Sequence, residues 1–273
     1  MITRDSFIKK YSLAALEDYR NEQEAKHYAL RTTSGTSTGT PELIVRRHDY
    51  TESSYYNYDD EDFKRTIILS GLVNGRLFHL SDTLYYNKQF DGVMLLGESD
   101  YNSSLQDVLR DFVPDSIVGS SKTISGILEY VHDEKILHGI KSVSLFGELL
   151  TAPLEAFFAD HFPYARVKMW YASAETGGIS AAPCAFLSRN QYHPREGISF
   201  DVHDADENGI GKLLVYKKLS PSVILDGYFT GDVCRVVEEE CQCGQSTFLE
   251  TFGRENIDFI KLKKGGVVSR DDF

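Results

Sequence analysis

Apolar and polar positions follow two different rhythms along the chain. Up to about residue 195, short apolar runs alternate with stripes at helical spacing. Residues 4–29 read as a helix, with Phe7, Tyr11, Ala14 and Ala15 on one stripe. A β-rich Leu43-Ile44-Val45 follows, then a predicted helix over 60–72 and short apolar runs at 77–80 and 93–96. Residues 104–112 read as helical, 117–119 as extended and 124–132 as helical again. Residues 143–146 read as a buried strand. The span 153–162 reads as a helix with Pro153 in its first turn, and 167–171 as the next strand. This alternation predicts α/β layers. After about 195 the period drops to two. Ile198-Ser199-Phe200-Asp201-Val202-His203 alternates, 204–211 is rich in turn residues, and 212–217 is extended, which is the signature of a hairpin. Shorter strands are expected at 233–237 and 247–249. The expected organisation is an α/β body over 1–195, an antiparallel β subdomain over 196–258, and a tail over 259–273.

Composition narrows the class. Apolar residues make up 41% of the chain, with 16 Tyr and 16 Phe, enough to build a sizeable core and too aromatic for a disordered chain. No run approaches the roughly 18 apolar residues of a membrane-spanning helix. The first twenty residues mix acids and bases without an apolar stretch, so no secretory signal is expected. Acidic residues outnumber basic ones 41 to 29, for a net charge of -12. Such a chain repels phosphate backbones, which argues against a broad nucleic-acid surface. An anionic ligand would need local devices: loop amides, a metal ion or a single arginine. Four cysteines without a secretory signal point to a reducing, cytoplasmic setting.

Four segments could carry chemistry, and each has a plainer reading. The loop Thr32-Thr33-Ser34-Gly35-Thr36-Ser37-Thr38-Gly39-Thr40-Pro41 is small and hydroxyl-rich, suited to wrapping phosphate oxygens, or it is a surface turn. Its spacing is too short for a Walker A loop, and Glu42 stands where a lysine would be needed. In Trp170-Tyr171-Ala172-Ser173-Ala174-Glu175, an aromatic at a strand end can stack on a base and a carboxylate can hold a cation, or the segment is a strand cap with a solvated glutamate. In Thr230-Gly231-Asp232 the aspartate can accept from a ribose diol, or the segment is a plain turn. In Gly253-Arg254 the guanidinium can fork onto phosphate or ribose oxygens, or it makes a surface ion pair.

The order of these segments, with Phe146-Gly147-Glu148 between the first and second, resembles the adenylate-forming (acyl-AMP) ligase superfamily. The finer resemblance is to the phenylacetate-CoA ligase and coenzyme F390 synthetase branch, where a Cys-x-Cys-Gly element, here Cys241-Gln242-Cys243-Gly244, precedes the Gly-Arg motif. It spans about residues 30–268. The resemblance implies that fold's N-terminal α/β body with a small antiparallel β region. It also implies ATP-dependent activation of a carboxylic acid as acyl-AMP, with release of pyrophosphate and onward transfer to CoA, a carrier protein or an amine. By resemblance, Thr33, Ser34, Gly35, Thr36, Ser37, Thr38 and Gly39 form the phosphate loop, and Gly147, Glu148 and Tyr171 lie about the adenine. Glu175 holds Mg²⁺, Asp232 binds the ribose, and Arg254 contacts ribose or α-phosphate. Thr36, Glu175 and Arg254 would bear most directly on the reaction. The acyl pocket would draw on Ser120, Ser121, Ser144 and Phe146.

Several positions depart from the pattern. The loop is one residue longer than usual, Ala174 replaces a hydroxyl residue, Ala172 replaces a glycine, and the hinge residue is either Asn256 or Asp258. The chain ends at Phe273, just past the hinge motif, so the resemblance implies that the small C-terminal domain and its lysine are absent. Either the chain is a fragment, or a minimal ligase borrows that domain from a separate protein or dispenses with it. The departures also admit a catalytically silent, nucleotide-binding partner subunit. Separately, Cys184, His193, Cys241 and Cys243 make a plausible tetrahedral Zn²⁺ set, with Cys234 a spare thiol and His203 an alternative to His193; otherwise they are incidental thiols.

Overall fold

In the computed structural model, Thr66-Ile67-Ile68-Leu69 lies in a strand. The structure describes residues 28–32, 43–47, 65–70, 92–97, 100–173, 176–180, 183–218, 224–254, 259–261 and 267–269, with positions 3, 6 and 17. Of the helix expected over 4–29, positions 6 and 17 are helical, while its last two residues already belong to a strand, β1 (Tyr28–Thr32). The rest of that expected helix, the loop over 33–41 expected to wrap phosphate, the run at 77–80, Glu175 and the two hinge candidates lie outside the described residues. Strand β1 pairs with β2 (Leu43–Arg47) in a two-stranded ribbon.

Two compact units divide the chain, with one break after Trp170. The unit holding residues 51–170 is built on a five-stranded parallel sheet. Its strands are β3 (Arg65–Ser70), β4 (Gly92–Gly97), β5 (Ser116–Gly119), β6 (Ser142–Phe146) and β7 (Arg166–Trp170), in the order β4-β3-β5-β6-β7. The helix expected over 60–72 is therefore wrong: the segment is β3, a central strand bonded to β4 on one side and β5 on the other. A continuous apolar run fits either period. Here the β-branched Thr-Ile-Ile favours the pleat, and a strand in the middle of a parallel sheet need not alternate. Every residue of β5 is buried. A row of small polar side chains, Thr66, Ser116 and Ser142, crosses the sheet in register, and the Thr66 and Ser116 hydroxyls bond at 2.6 Å.

Helices join these strands. α1 (Leu105–Phe112) buries Leu105 and Leu109. α2 (Ser121–Ile127) starts at a capping box in which the Ser120 hydroxyl accepts from Thr123 N at 3.2 Å and Thr123 Oγ1 accepts from Ser120 N at 3.0 Å. It stops before Leu128, short of the expected 132. α3 (Glu134–Gly139) had no expectation, and Asp133 caps it through Lys135 N. α4 (Ala152–His161) matches its expectation, with Thr151 as N-cap and proline in the first turn.

The other unit, which holds 171–273, contains the antiparallel sheet. Its order is β10 (Gln191–Tyr192), β14 (Phe248–Arg254), β13 (Ile224–Val237), β12 (Gly211–Lys218) and β11 (Ile198–His203). Two short ribbons flank it in sequence: β8 (Ala172–Ser173) with β9 (Gly177–Gly178), and β15 (Phe259–Lys261) with β16 (Val267–Ser269). One face of the large sheet buries Ile198, Leu213, Val215, Cys234 and Leu249 with Ile179. The hairpin between β11 and β12 turns on Asp206, whose carboxylate accepts from Asn208 N and Ile210 N, both at 2.9 Å.

Candidate functional site

Tyr171, Asp232 and Arg254 come from three distant stretches and meet at one carboxylate. Asp232 lies on β13 and Arg254 on β14, as cross-strand partners. Arg254 Nε stands 3.3 Å from Asp232 Oδ1, and the Tyr171 hydroxyl donates to Asp232 Oδ2. The Thr230-Gly231 turn sets the entry: Asp232 N donates to Thr230 Oγ1 at 3.1 Å, and Gly231 takes a φ of 88° that other residues resist. The Asp232 side chain is 12% exposed, whereas Arg254 is 42% exposed. Burial first, and the Asp232 charge second, push the Tyr171 phenol well above its ordinary range. It stays a donor at every physiological pH. The result is a partly shielded, fixed anion beside an arginine fork, an arrangement suited to accepting a pair of hydroxyls.

Tyr192, which sequence reasoning missed, completes this wall. Its ring stacks on Tyr171 with centroids 5.5 Å apart and planes 26° apart. Burial drives its phenol up as well. Around the Glu175 position, the described neighbours are pinned. Ser173 Oγ accepts from Thr176 N at 3.0 Å, and Lys217 Nζ donates to the Thr176 carbonyl at 3.0 Å. Nothing in the sequence marks Lys217, since a lysine at the end of an extended segment reads as solvated.

In the parallel-sheet unit, Ser120, Ser121, Gly147 and Glu148 lie where β5 and β6 end. The Glu148 carboxylate accepts from Ser121 N and Ser121 Oγ, both at 2.5 Å. Gly147 makes the turn with a φ of 78°. Phe146 stacks on Trp170 at 6.2 Å. Ser144 is fully buried, with no hydrogen-bond partner for its hydroxyl among the described residues. The sheet order reverses between β3 and β5, and the C-terminal ends at such a reversal are the usual ligand crevice of open α/β sheets. Ser120 and Ser121 follow β5 there.

A second cluster gathers Cys184, His193, Cys241 and Cys243, whose donor atoms all lie within 4.8 Å of one another. Cys184 Sγ and Cys241 Sγ are 3.8 Å apart, and Cys243 Sγ is 3.1 Å from His193 Nε2. His193 is 2% exposed, and its Nδ1 donates to the Thr247 carbonyl at 2.7 Å. The two residues left open in the sequence go elsewhere. Cys234 is fully buried in the sheet core, and His203 pairs with Asp204 at 3.3 Å on the exposed hairpin.

No family model and no curated relative matches at the level of sequence. Solved structures do match. 2-Hydroxyisobutyryl-CoA ligase, in a postadenylation state with an acyl-AMP, superposes with a TM-score of 0.72 at 13% identity, over 99% of this chain and 60% of that one. The chain has the adenylate-forming ligase fold. MatB from Rhodopseudomonas palustris (TM-score 0.62, 15% identity, 89% of this chain and 50% of that one) and the anthranilate CoA ligase AuaEII with anthranoyl-AMP (0.60, 16%, 88% and 49%) are similar in the same way. The chain thus spans about 60% of the length of the first of these ligases. The parallel sheet and the antiparallel sheet are the layers that the motif order implied. Among the described residues, no helix is long and apolar enough to cross a membrane.

Proposed function

We infer that the chain is the nucleotide- and acid-binding part of an AMP-forming carboxylate ligase. The observation that carries this is the meeting of Tyr171, Asp232 and Arg254. Three motif residues separated by 61 and 22 positions in sequence converge on one carboxylate in a fold whose members include acyl-AMP complexes. In this reading Asp232 accepts the ribose hydroxyls and Arg254 lies over the ribose or α-phosphate, while the loop Thr33–Gly39 wraps the phosphates with Thr36 nearest the reaction. A substrate carboxylate oxygen attacks the α-phosphorus of ATP. The new acyl–phosphate bond forms as the bond to pyrophosphate breaks, and pyrophosphate leaves with that electron pair. Glu175 would hold Mg²⁺, which supplies charge neutralisation at the phosphates. The protein's share is positioning and charge stabilisation.

Support for the acid pocket comes from the sheet reversal beside Ser120 and Ser121. Glu148, tied to Ser121, would border the adenine with Gly147, while Phe146 and Ser144 are the deeper pocket positions. The Cys241-Gln242-Cys243-Gly244 element favours the phenylacetate-CoA ligase branch. The acyl group would pass to CoA, a carrier protein or an amine. We place the reaction in the cytoplasm.

ATP–pyrophosphate exchange with a panel of carboxylic acids tests the reading. Glu175→Gln should keep the fold and lose most exchange, because a neutral amide is a poor Mg²⁺ ligand. Asp232→Ala should weaken ATP binding by roughly tenfold or more, the loss of one charge-assisted acceptor. Unchanged ATP affinity in Asp232→Ala would refute the assignment. ATP binding without exchange for any acid would favour a silent partner subunit.

A further inference from the structure

The Cys184, His193, Cys241 and Cys243 cluster plays no part in that chemistry, and its geometry is that of an assembled metal site. A tetrahedral Zn²⁺ with Zn–S bonds of about 2.3 Å sets its sulfurs about 3.8 Å apart. Cys184 and Cys241 are already 3.8 Å apart. That separation is far beyond the roughly 2.05 Å of a disulfide, and all four cysteines are free thiols. Because a carbonyl can only accept, His193 Nδ1 carries the proton toward Thr247, which leaves the Nε2 lone pair directed at the thiols. This outer hydrogen bond is the usual device for orienting a metal-bound imidazole.

The backbone is arranged to the same end. Gly244 N donates to the Cys241 carbonyl and Cys241 N to the Gln245 carbonyl, each at 2.8 Å, closing a tight knuckle with Gly244 at a φ of 89°. The knuckle turns Cys241 and Cys243 toward one point. Phe186 N donates to Cys184 Sγ at 3.5 Å, which fixes that thiol beside the knuckle.

We propose that Cys184, His193, Cys241 and Cys243 bind one structural Zn²⁺ that clamps the segment 183–193 to the knuckle at 241–245. The donor set is closed, with no open position for a substrate, and its three sulfurs and one imidazole match zinc rather than a hard cation. Each thiol gives up its proton to solvent on binding. The clamp has a mechanical target. It fixes β10 against β14, where Tyr192 faces Leu249, and Tyr192 stacks on the Tyr171 that holds Asp232. The metal site stands on the cluster alone, while its link to ATP binding rests on the proposed function.

The test uses the whole chain, purified without a histidine tag. Elemental analysis should find about one zinc per chain, and removal by a thiol mercurial with a chelator should lower the melting temperature, restored by Zn²⁺ and not by Mg²⁺. Co²⁺ in place of zinc should give the intense visible bands of a tetrahedral site and a thiolate charge-transfer band. Cys243→Ser should lose the charge-transfer intensity and the zinc, and it alters an exposed thiol whose replacement leaves the core packing intact. His203→Asn should keep both. Zinc below about a tenth of an equivalent after reconstitution, or a Cys243→Ser variant that holds zinc as wild type does, would overturn the site. Zinc-dependent melting with unchanged ATP affinity would overturn the link to the nucleotide wall and leave the site standing.

Discussion

Tyr171→Phe removes a single hydroxyl and tests the centre of the site. Phenylalanine keeps the ring that stacks on Tyr192, so the packing term stays in place. What disappears is the hydrogen bond to Asp232 Oδ2. A bond to a charged acceptor contributes about 1.5–3 kcal/mol net when shielded from water. Asp232 is 12% exposed, so screening is slight, but Arg254 still faces its other oxygen and compensates part of the loss. The expected destabilisation is therefore about 2 kcal/mol, equivalent to a fall of about 4–8 °C in melting temperature for a chain of this size.

Chemical denaturation at pH 7 measures it, and a double-mutant cycle with Asp232→Asn isolates the pair. The coupling energy should exceed about 1 kcal/mol. Because burial and the Asp232 charge hold the Tyr171 phenol well above its usual range, the difference should stay constant from pH 6 to 9. A Tyr171→Phe variant within about 0.5 kcal/mol of wild type, or additive behaviour in the cycle, would refute the claim that the hydroxyl fixes Asp232.

Two further outcomes follow from the antiparallel sheet. Burial, then the charges of Asp232 and Asp201, push the Cys234 thiol up to about 12 from 9.0, so the folded chain holds this proton after the unfolded chain has lost it. Stability should be unaffected below about pH 9 and should fall between pH 9 and 12; Cys234→Ala should reduce that slope by up to about 1.4 kcal/mol per pH unit, read from denaturation curves at each pH. Gly253 takes a φ of 115°, so Gly253→Ala should cost about 1–2 kcal/mol and uncouple Arg254 from Asp232, checked by a cycle with Arg254→Gln; an unchanged midpoint would show that the backbone there relaxes freely.

Much of the layering could be read from residue types. The strands β6 and β7, expected at 143–146 and 167–171, are mainly apolar stretches too short for helices, and Pro153 after Thr151 announces the start of α4. The segment 60–72 failed because the run Thr66-Ile67-Ile68-Leu69 does not alternate, so its pattern does not separate a strand from a helix. The four residues proposed for zinc could be named from chemistry alone, with His203 as an alternative that the fold sets apart from the cluster. His203 sits on an alternating, solvent-facing hairpin, whereas the Thr247 carbonyl receives His193. Tyr192 and Lys217 carried no signal, since a lone tyrosine and a lysine near a strand end have many uses.

The pairing of Asp232 with Arg254 shows why such contacts escape a linear reading. From Val237↔Phe248 through Cys234↔Thr251, each step along β13 moves one residue along β14. Continued without interruption, that ladder would set Gly253 opposite Asp232. It would turn Arg254 to the other face, because a one-residue slip reverses every side chain. The structure instead pairs Val233 with Gly253 and Asp232 with Arg254. The extra residue between Thr251 and Gly253 is taken up as a bulge, and the positive φ of Gly253 lets the backbone make it. The Gly-Arg motif thus combines two physical roles in adjacent positions. Glycine admits the irregularity, and the irregularity brings the guanidinium to the carboxylate. The second depends on the first, and spacing along the chain records neither the bulge nor the face on which the arginine emerges.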